Sequence, residues 1–126
     1  MIQGFDSETQ PLNEQEMSVI PAFVRSLLMR RGKSNAVASK QIIDGINYHC
    51  GIRLSGPRVR KIINHIRTHD LLNGEILCAN SNGYYIAADK EEAAESLNGL
   101  ASRIQAQQAV FNALCRQYNR KYNNHQ

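Results

Sequence analysis

The sequence predicts an α+β protein that is mostly helical, and three stretches of hydrophobic periodicity carry this prediction. Apolar residues recur at helical spacing over residues 13–69. Residues 75–79 and 84–87 then alternate with a period of two, as short β-strands do. Helical spacing returns after Asp89. We therefore expect a flexible arm over 1–12, one domain over 13–88, a long helix over 89–118 and a frayed tail over 119–126.

Two helices are predicted in the first part of the domain. The first follows Asn13, which is the expected N-cap, with Glu16 as the reciprocal partner of a capping box. Pro21 is expected either to kink this helix or to mark its true first turn. A second helix, capped by Ser39, is predicted to run to about Cys50.

A third predicted helix, LSGPRVRKIINHIRTH over residues 54–69, is basic on one side and apolar on the other. Ser55 is a natural N-cap, and Pro57 suits a first helical turn. Four apolar residues at i, i+3, i+4 and i+7 define the buried face: Val59, Ile62, Ile63 and Ile66. Cationic and polar side chains on the outer face of a seated helix are typical of a helix in the DNA major groove. The alternative is an ordinary amphipathic helix whose charged side faces water.

The two predicted strands are separated by residues 80–83, Asn-Ser-Asn-Gly, which tolerate the positive φ of hairpin turns. Of Tyr84 and Tyr85, one should pack on the core and the other stay exposed. Two short helices, a tight link, a basic helix and a hairpin together predict a winged helix-turn-helix. Residues 71–88 contain no Lys or Arg, so we expect this wing to contribute little to DNA affinity.

Charge is strongly segregated along the chain. Residues 25–67 contain ten Lys and Arg against Asp44 alone, a net charge of +9, and acidic segments lie on both sides. Such a block implies a surface that faces a polyanion, because phosphate contacts supply most of the sequence-independent affinity for DNA.

Other features point to an intracellular protein without catalytic chemistry. The N-terminus lacks the basic start and apolar core of a signal peptide, and no run of about 18 apolar residues suggests a membrane span. The three cysteines form no CxxC pair and indicate reduced thiols. His65 and His69 lie four apart but lack a third metal ligand. We expect a cytoplasmic location, no metal, no cofactor and no enzymatic activity.

The last helix carries a heptad seam. Asp89 and Glu92 form an expected capping pair, and a helix continuing to Tyr118 would span on the order of 40 Å. Spacings of four and three alternate along the seam: Ala93, Leu97, Leu100, Ile104, Gln107, Phe111, Leu114 and Tyr118. We predict a homodimer through Leu97, Leu100, Ile104, Phe111 and Leu114. The alternative is that this helix folds back on the first helix of its own chain.

The run SGPRVRKIINHIRTHDLL, with the later GYYIA strand and the acidic start of the last helix, resembles the small winged helix-turn-helix DNA-binding proteins of phages and prophages. The resemblance spans roughly Leu12 to Leu114. It implies a DNA-binding module in a bacterial cell and does not supply a biological process.

The leading prediction is a phage-type protein that binds double-stranded DNA as a transcriptional regulator or replication accessory. The alternative is a winged-helix module that docks an acidic protein partner without reading DNA. The residues predicted to enter or flank the major groove are Arg58, Arg60, Lys61, Asn64 and His65. Those predicted to contact phosphate are Arg25, Arg30, Arg31, Lys33, Ser39, Lys40 and Arg53.

Overall fold

A computed structural model describes residues 10–123 of the chain. Its elements are α1 (Glu14–Ser18), α2 (Ile20–Leu28), α3 (Ser39–Cys50), α4 (Gly56–Thr68), β1 (Leu77–Asn80), β2 (Gly83–Ile86) and α5 (Lys90–Tyr118). A 3₁₀ turn, Lys33–Asn35, precedes α3, and a π-helical turn, Asn119–Asn123, follows α5. The fold is therefore mostly helical with a small antiparallel sheet, in agreement with the predicted α+β class.

The chain divides into two units, with the boundary between Ala93 and Ala94. Of the predicted arm, residues 1–9 lie outside the described part of the chain. Of the predicted frayed tail, residues 124–126 also lie outside it, and the five residues before them continue in the π-helical turn.

The first predicted helix is divided into α1 and α2. The capping box is present: the Glu16 N–H donates to Asn13 Oδ1 at 2.8 Å, and the Asn13 N–H donates to Glu16 Oε1 at 3.0 Å. Val19 ends α1, and Pro21 lies in the first turn of α2. Pro21 thus marks a first turn, where its missing N–H leaves no intrahelical bond unmade.

Helix α3 begins one residue earlier than its predicted cap implied. Ala38 occupies the N-cap with an extended backbone, and its N–H donates to Gln41 Oε1 at 2.9 Å. Ser39, predicted as the cap, is instead the first helical residue. The helix stops at Gly51, whose φ of 68° lies in the left-handed region that favours glycine.

The hairpin is tighter than the sequence predicted, because Asn80 and Gly83 form the last pair and only two residues connect the strands. Val37, from the segment before α3, pairs with Tyr84 of β2 through N–H···O bonds of 2.8 and 2.9 Å. A Cβ atom on Gly83 would lie 2.1 Å from the Val37 carbonyl oxygen, and Gly83 has a φ of +130°. Only glycine therefore fits where these two backbone segments approach each other.

One apolar core lies among α2, α3, α4 and the hairpin. The face of α4 that the sequence predicted is buried, together with Phe23 and Leu27 of α2. Tyr85 is buried, and Tyr84 is half-buried against the core rather than exposed as predicted. The buried core residues are Val19, Phe23, Leu27, Val37, Ile42, Ile46, Leu54, Val59, Ile62, Ile63, Ile66, Leu72, Leu77 and Ile86.

Helix α5 follows its predicted bounds closely. The Glu92 N–H donates to Asp89 Oδ1 at 2.9 Å, whereas the Glu92 carboxylate accepts from the Ala88 N–H rather than from Asp89. Ala93 is buried, but the later seam side chains from Leu97 onward are largely exposed. Among residues 10–123, no helix combines the length and the apolar composition that a membrane span needs.

Candidate nucleic-acid interface

Helix α4 is held at its start by a cap and along one face by the core. The Arg58 N–H donates to the Ser55 side chain at 3.3 Å, which confirms the predicted N-cap. Leu54 comes directly before the cap residue and Val59 comes four residues after it, and both are buried. Together with the three isoleucines of α4, they fix the direction in which the helix enters and lies on the domain.

A buried carboxylate joins α1 to α4. Glu16 is only 2% exposed; its Oε2 accepts from Arg58 Nε at 2.9 Å, and its Oε1 accepts from Lys61 Nζ at 2.8 Å. Arg58 Nη2 also donates to the Gln15 side-chain oxygen at 2.6 Å. Neutralisation by two cations is what makes the burial of this carboxylate tolerable.

The electrostatics of Glu16 are consistent with this contact pattern. Burial alone raises the pKa of a carboxyl group, because it disfavours the charged form. Hydrogen bonds from Lys61, the Asn13 N–H and Arg58 outweigh burial and lower the pKa of Glu16 from 4.5 to about 2. Glu16 is therefore ionised at neutral pH and acts as a clamp, named here the Glu16 clamp, between α1 and α4.

The predicted outward placement of Arg58 and Lys61 is wrong, because both side chains belong to the Glu16 clamp. The amphipathic pattern placed both on the outward face of the helix, but their side chains are only 30% and 11% exposed and bind Glu16. Their two positive charges share the single negative charge of Glu16 within the domain. Both residues thus hold α4 in position, and other side chains form the exposed face of this helix.

The exposed face of α4 presents Arg60 and Asn64, which lie one helical turn apart. Arg53 is exposed in the segment that leads into α4. These three residues were among the predicted DNA contacts. Two arginine side chains and one asparagine side chain are therefore exposed on α4 and the segment before it.

Three side chains near the end of α4 have partners within the domain. His65 is half-buried and stacks on His69 with a centroid distance of 4.0 Å. Partial burial, and then the nearby charge of His69, lower the pKa of His65. Arg67 donates from Nε and Nη2 to the Leu77 carbonyl at 3.1 and 3.0 Å, which ties α4 to the hairpin.

Two basic residues predicted to contact phosphate bind acidic side chains, Arg31 through its guanidinium group and Lys33 through its backbone N–H. The Arg31 guanidinium forms an ion pair with Glu75 and also donates to the Ala87 carbonyl. The Lys33 N–H donates to Glu92 Oε2 at 3.3 Å. In the part of the chain that the structure describes, Lys40 and Arg53 have no acidic partner, and both are exposed.

The start of α3 and the tip of the hairpin enclose a polar notch of about 240 Å³. Ser39 lines it from the helix, and Asn80, Ser81 and Asn82 line it from the hairpin. The first-turn N–H groups of a helix carry partial positive charge and have no partner within the helix. The sequence predicted that Ser39 faces phosphate but not that the hairpin tip stands beside it.

A second concave surface lies between α2 and α3 and measures about 570 Å³. Phe23, Leu27 and Ile46 contribute apolar surface, and Arg25 and Arg30 contribute positive charge. No local pattern in the sequence predicts this groove, because its lining depends on how α2 and α3 pack against each other.

Comparison with protein-family models, with curated proteins and with solved structures found no match for this chain.

Proposed function

We propose that residues 13–88 form a winged helix-turn-helix domain that binds double-stranded DNA with α4 in the major groove. The order of α2, α3, α4 and the hairpin supports this assignment. The pairing of Val37 with Tyr84 adds a short third strand position beside the hairpin, as expected for this architecture.

The observation that carries the proposal is the way in which α4 is fixed. Its apolar face is buried in the core and the Glu16 clamp holds its first turns, while Arg60 and Asn64 remain exposed. Arginine pairs with the O6 and N7 acceptors of guanine, and asparagine pairs with adenine through two hydrogen bonds. A rigidly placed helix loses little conformational freedom on binding, which favours affinity.

Phosphate contacts are assigned to residues around α4. Arg53 and Lys40 carry exposed positive charge, and the first turn of α3 offers backbone N–H groups at Ser39. Such contacts position a protein on the duplex without reading its sequence. Arg58 and Lys61 contribute indirectly, by holding α4 in place.

The resemblance to small phage and prophage proteins suggests the setting. On that basis we propose a non-enzymatic transcriptional regulator or replication accessory that acts in the cytoplasm of a bacterial cell. The exposed asparagine and arginine side chains support sequence preference.

Fluorescence anisotropy tests the proposal, with a labelled duplex that the unmodified protein selects from a pool of random sequences. The Arg60→Ala/Asn64→Ala variant should lose about 1–3 kcal/mol of binding free energy per specific base contact removed. The Asn112→Ala/Arg116→Ala variant is a matched control, because it removes the same two side-chain types at the same spacing from the exposed face of α5. Equal weakening by both variants, or none by the first at several salt concentrations, would contradict the assignment.

The groove between α2 and α3 favours a second candidate function. Its apolar residues and its two arginines suit an amphipathic acidic segment of a protein partner. An Arg25→Ala/Arg30→Ala variant should retain duplex affinity if α4 carries the binding. Failure of the unmodified protein to bind duplex DNA at low salt without a partner would favour this second function.

A further inference from the structure

The unit from Ala94 to the end of the described chain exposes a long apolar stripe. Leu97 is 59% exposed and Phe111 is 60% exposed, although leucine and phenylalanine are usually buried. The exposed apolar seam side chains are Leu97, Leu100, Ile104, Phe111, Leu114 and Tyr118. A contiguous apolar stripe along one helix face indicates a surface that binds a partner.

Charge along α5 and the turn after it is strongly polarised. Residues 90–95 contain Lys90 and three glutamates, a net charge of −2. Residues 116–121 contain Arg116, Arg120 and Lys121 and no acid, a net charge of +3. No acidic residue occurs after Glu95, so this polarity extends to the end of the chain.

We infer that α5 pairs with α5 of a second copy of this chain and that the two helices run antiparallel. In a parallel pair the two +3 ends would lie side by side and repel each other, as would the two −2 ends. In an antiparallel pair each acidic end lies beside a basic end. The two helix dipoles also point in opposite directions in this arrangement, so the positive end of each lies beside the negative end of the other.

The charged ends of the helix set the register. Because Ala93 packs within its own unit, the seam open to a partner begins at Leu97. An antiparallel coiled coil pairs a with d positions, and the alignment of residues 90–95 with residues 116–121 of the partner then sets Leu97 against the partner's Leu114. The next layers are Leu100 with the partner's Phe111 and Ile104 with the partner's Gln107.

This register also accommodates the one polar residue of the seam. The two Gln107 side chains lie one layer to either side of the centre, about 4.5 Å apart along the axis at 1.5 Å per residue. Long amide side chains at that separation can hydrogen-bond to each other. Gln107 therefore favours this register over registers that set each glutamine against apolar side chains far from the other.

Disulfide trapping tests both orientation and register. In a Cys50→Ser/Cys115→Ser background, which removes the two exposed thiols, the Leu97→Cys/Leu114→Cys variant should convert almost fully to a covalent dimer with oxidised glutathione. Neither single variant should do so, because each new thiol would face a leucine. Ser102→Cys, on the outer face of α5, reports the background from random collision.

This inference does not depend on DNA binding, and DNA does not enter the experiment. Covalent dimers from the single Leu114→Cys variant would show a parallel pair and overturn the proposal. A double variant that sediments as a dimer without forming a disulfide would overturn the register. Unmodified protein that sediments as a monomer at micromolar concentration would overturn the pairing itself.

Discussion

At the scale of single residues, Glu16 has two structural roles that act together. It completes the capping box of α1 with Asn13, and it forms ion pairs with two cations of α4 that lie 42 and 45 residues away in the chain. An almost fully buried carboxylate is costly to desolvate, so its removal leaves two partly buried cations without their partner. The Glu16 clamp is therefore expected to contribute both to stability and to the position of α4.

Glu16→Gln should lower the free energy of unfolding by about 3 kcal/mol, because removal of one partner from a buried ion pair leaves uncompensated charge. Urea denaturation at pH 7 measures the effect. Glu14→Gln is the matched control, since Glu14 is exposed in the same helical turn, and it should change stability by less than about 0.5 kcal/mol. Equal stability of the two variants would show that the clamp is energetically unimportant.

The same clamp predicts a pH dependence. The pKa of Glu16 is lowered from 4.5 to about 2 in the folded protein, so its ionised form stabilises the fold above pH 4.5. That contribution is lost as the pH falls from about 4.5 towards 2. The stability difference between the unmodified protein and Glu16→Gln should be constant from pH 7 to 5 and shrink below that. A difference that persists unchanged at pH 2.5 would exclude ionisation of Glu16 as its cause.

Residue-level prediction from the sequence succeeded where partners are close along the chain. Asn13 and Glu16 lie three residues apart, and helix geometry alone brings them together. The pairs of Glu16 with Arg58 and Lys61 depend on how α1 is placed against α4, which no local spacing encodes. Helical periodicity identifies the side chains that avoid the apolar face, but it cannot tell which of them meet a buried acid.

At the scale of elements, the hairpin depends on one close backbone approach. Gly83 lies against the Val37 carbonyl. The backbone N–H of Val37 donates to the Tyr84 carbonyl, and the Val37 carbonyl accepts from the Tyr84 N–H. The strands are β1 (Leu77–Asn80) and β2 (Gly83–Ile86), whereas the sequence predicted strands over 75–79 and 84–87. Alternation of apolar residues locates a strand, but it does not identify the backbone groups that pair at its ends. The buried face of α4, by contrast, follows directly from its periodicity and was predicted residue by residue.

Gly83→Ala should destabilise the domain by about 2–3 kcal/mol or more, because the new methyl group meets the Val37 carbonyl and the positive φ is strained. Gly45→Ala in α3 is the matched control, since its Cβ meets no atom within 4 Å. It should stabilise the helix by about 0.5–1 kcal/mol. Thermal unfolding followed by circular dichroism compares the two, and a harmless Gly83→Ala would refute the close approach of Val37.

At the scale of the whole molecule, acids from outside the basic block neutralise part of its charge. Glu16 pairs with Arg58 and Lys61, and Glu75 pairs with Arg31. The net charge of residues 25–67 therefore overstates the positive surface that a partner meets. The cations that remain exposed include Lys40 in the first turn of α3 and Arg53 shortly before α4. The proposed DNA contacts are therefore fewer than the ten basic residues of the block, because some of these residues are paired with acids.

The proposed pairing of α5 with α5 of a second copy is tested directly by charged residues in the seam. Leu100→Glu/Ile104→Glu should convert the proposed dimer to a monomer in sedimentation velocity experiments, because pairing would desolvate four charges. Asn98→Glu/Ser102→Glu adds the same charges to the other exposed positions of these turns and should leave the dimer intact. Neither seam residue belongs to the buried core, so amide NMR shifts of residues 13–88 should be retained in both variants. A seam variant with the sedimentation coefficient of the unmodified protein would place the partner surface elsewhere.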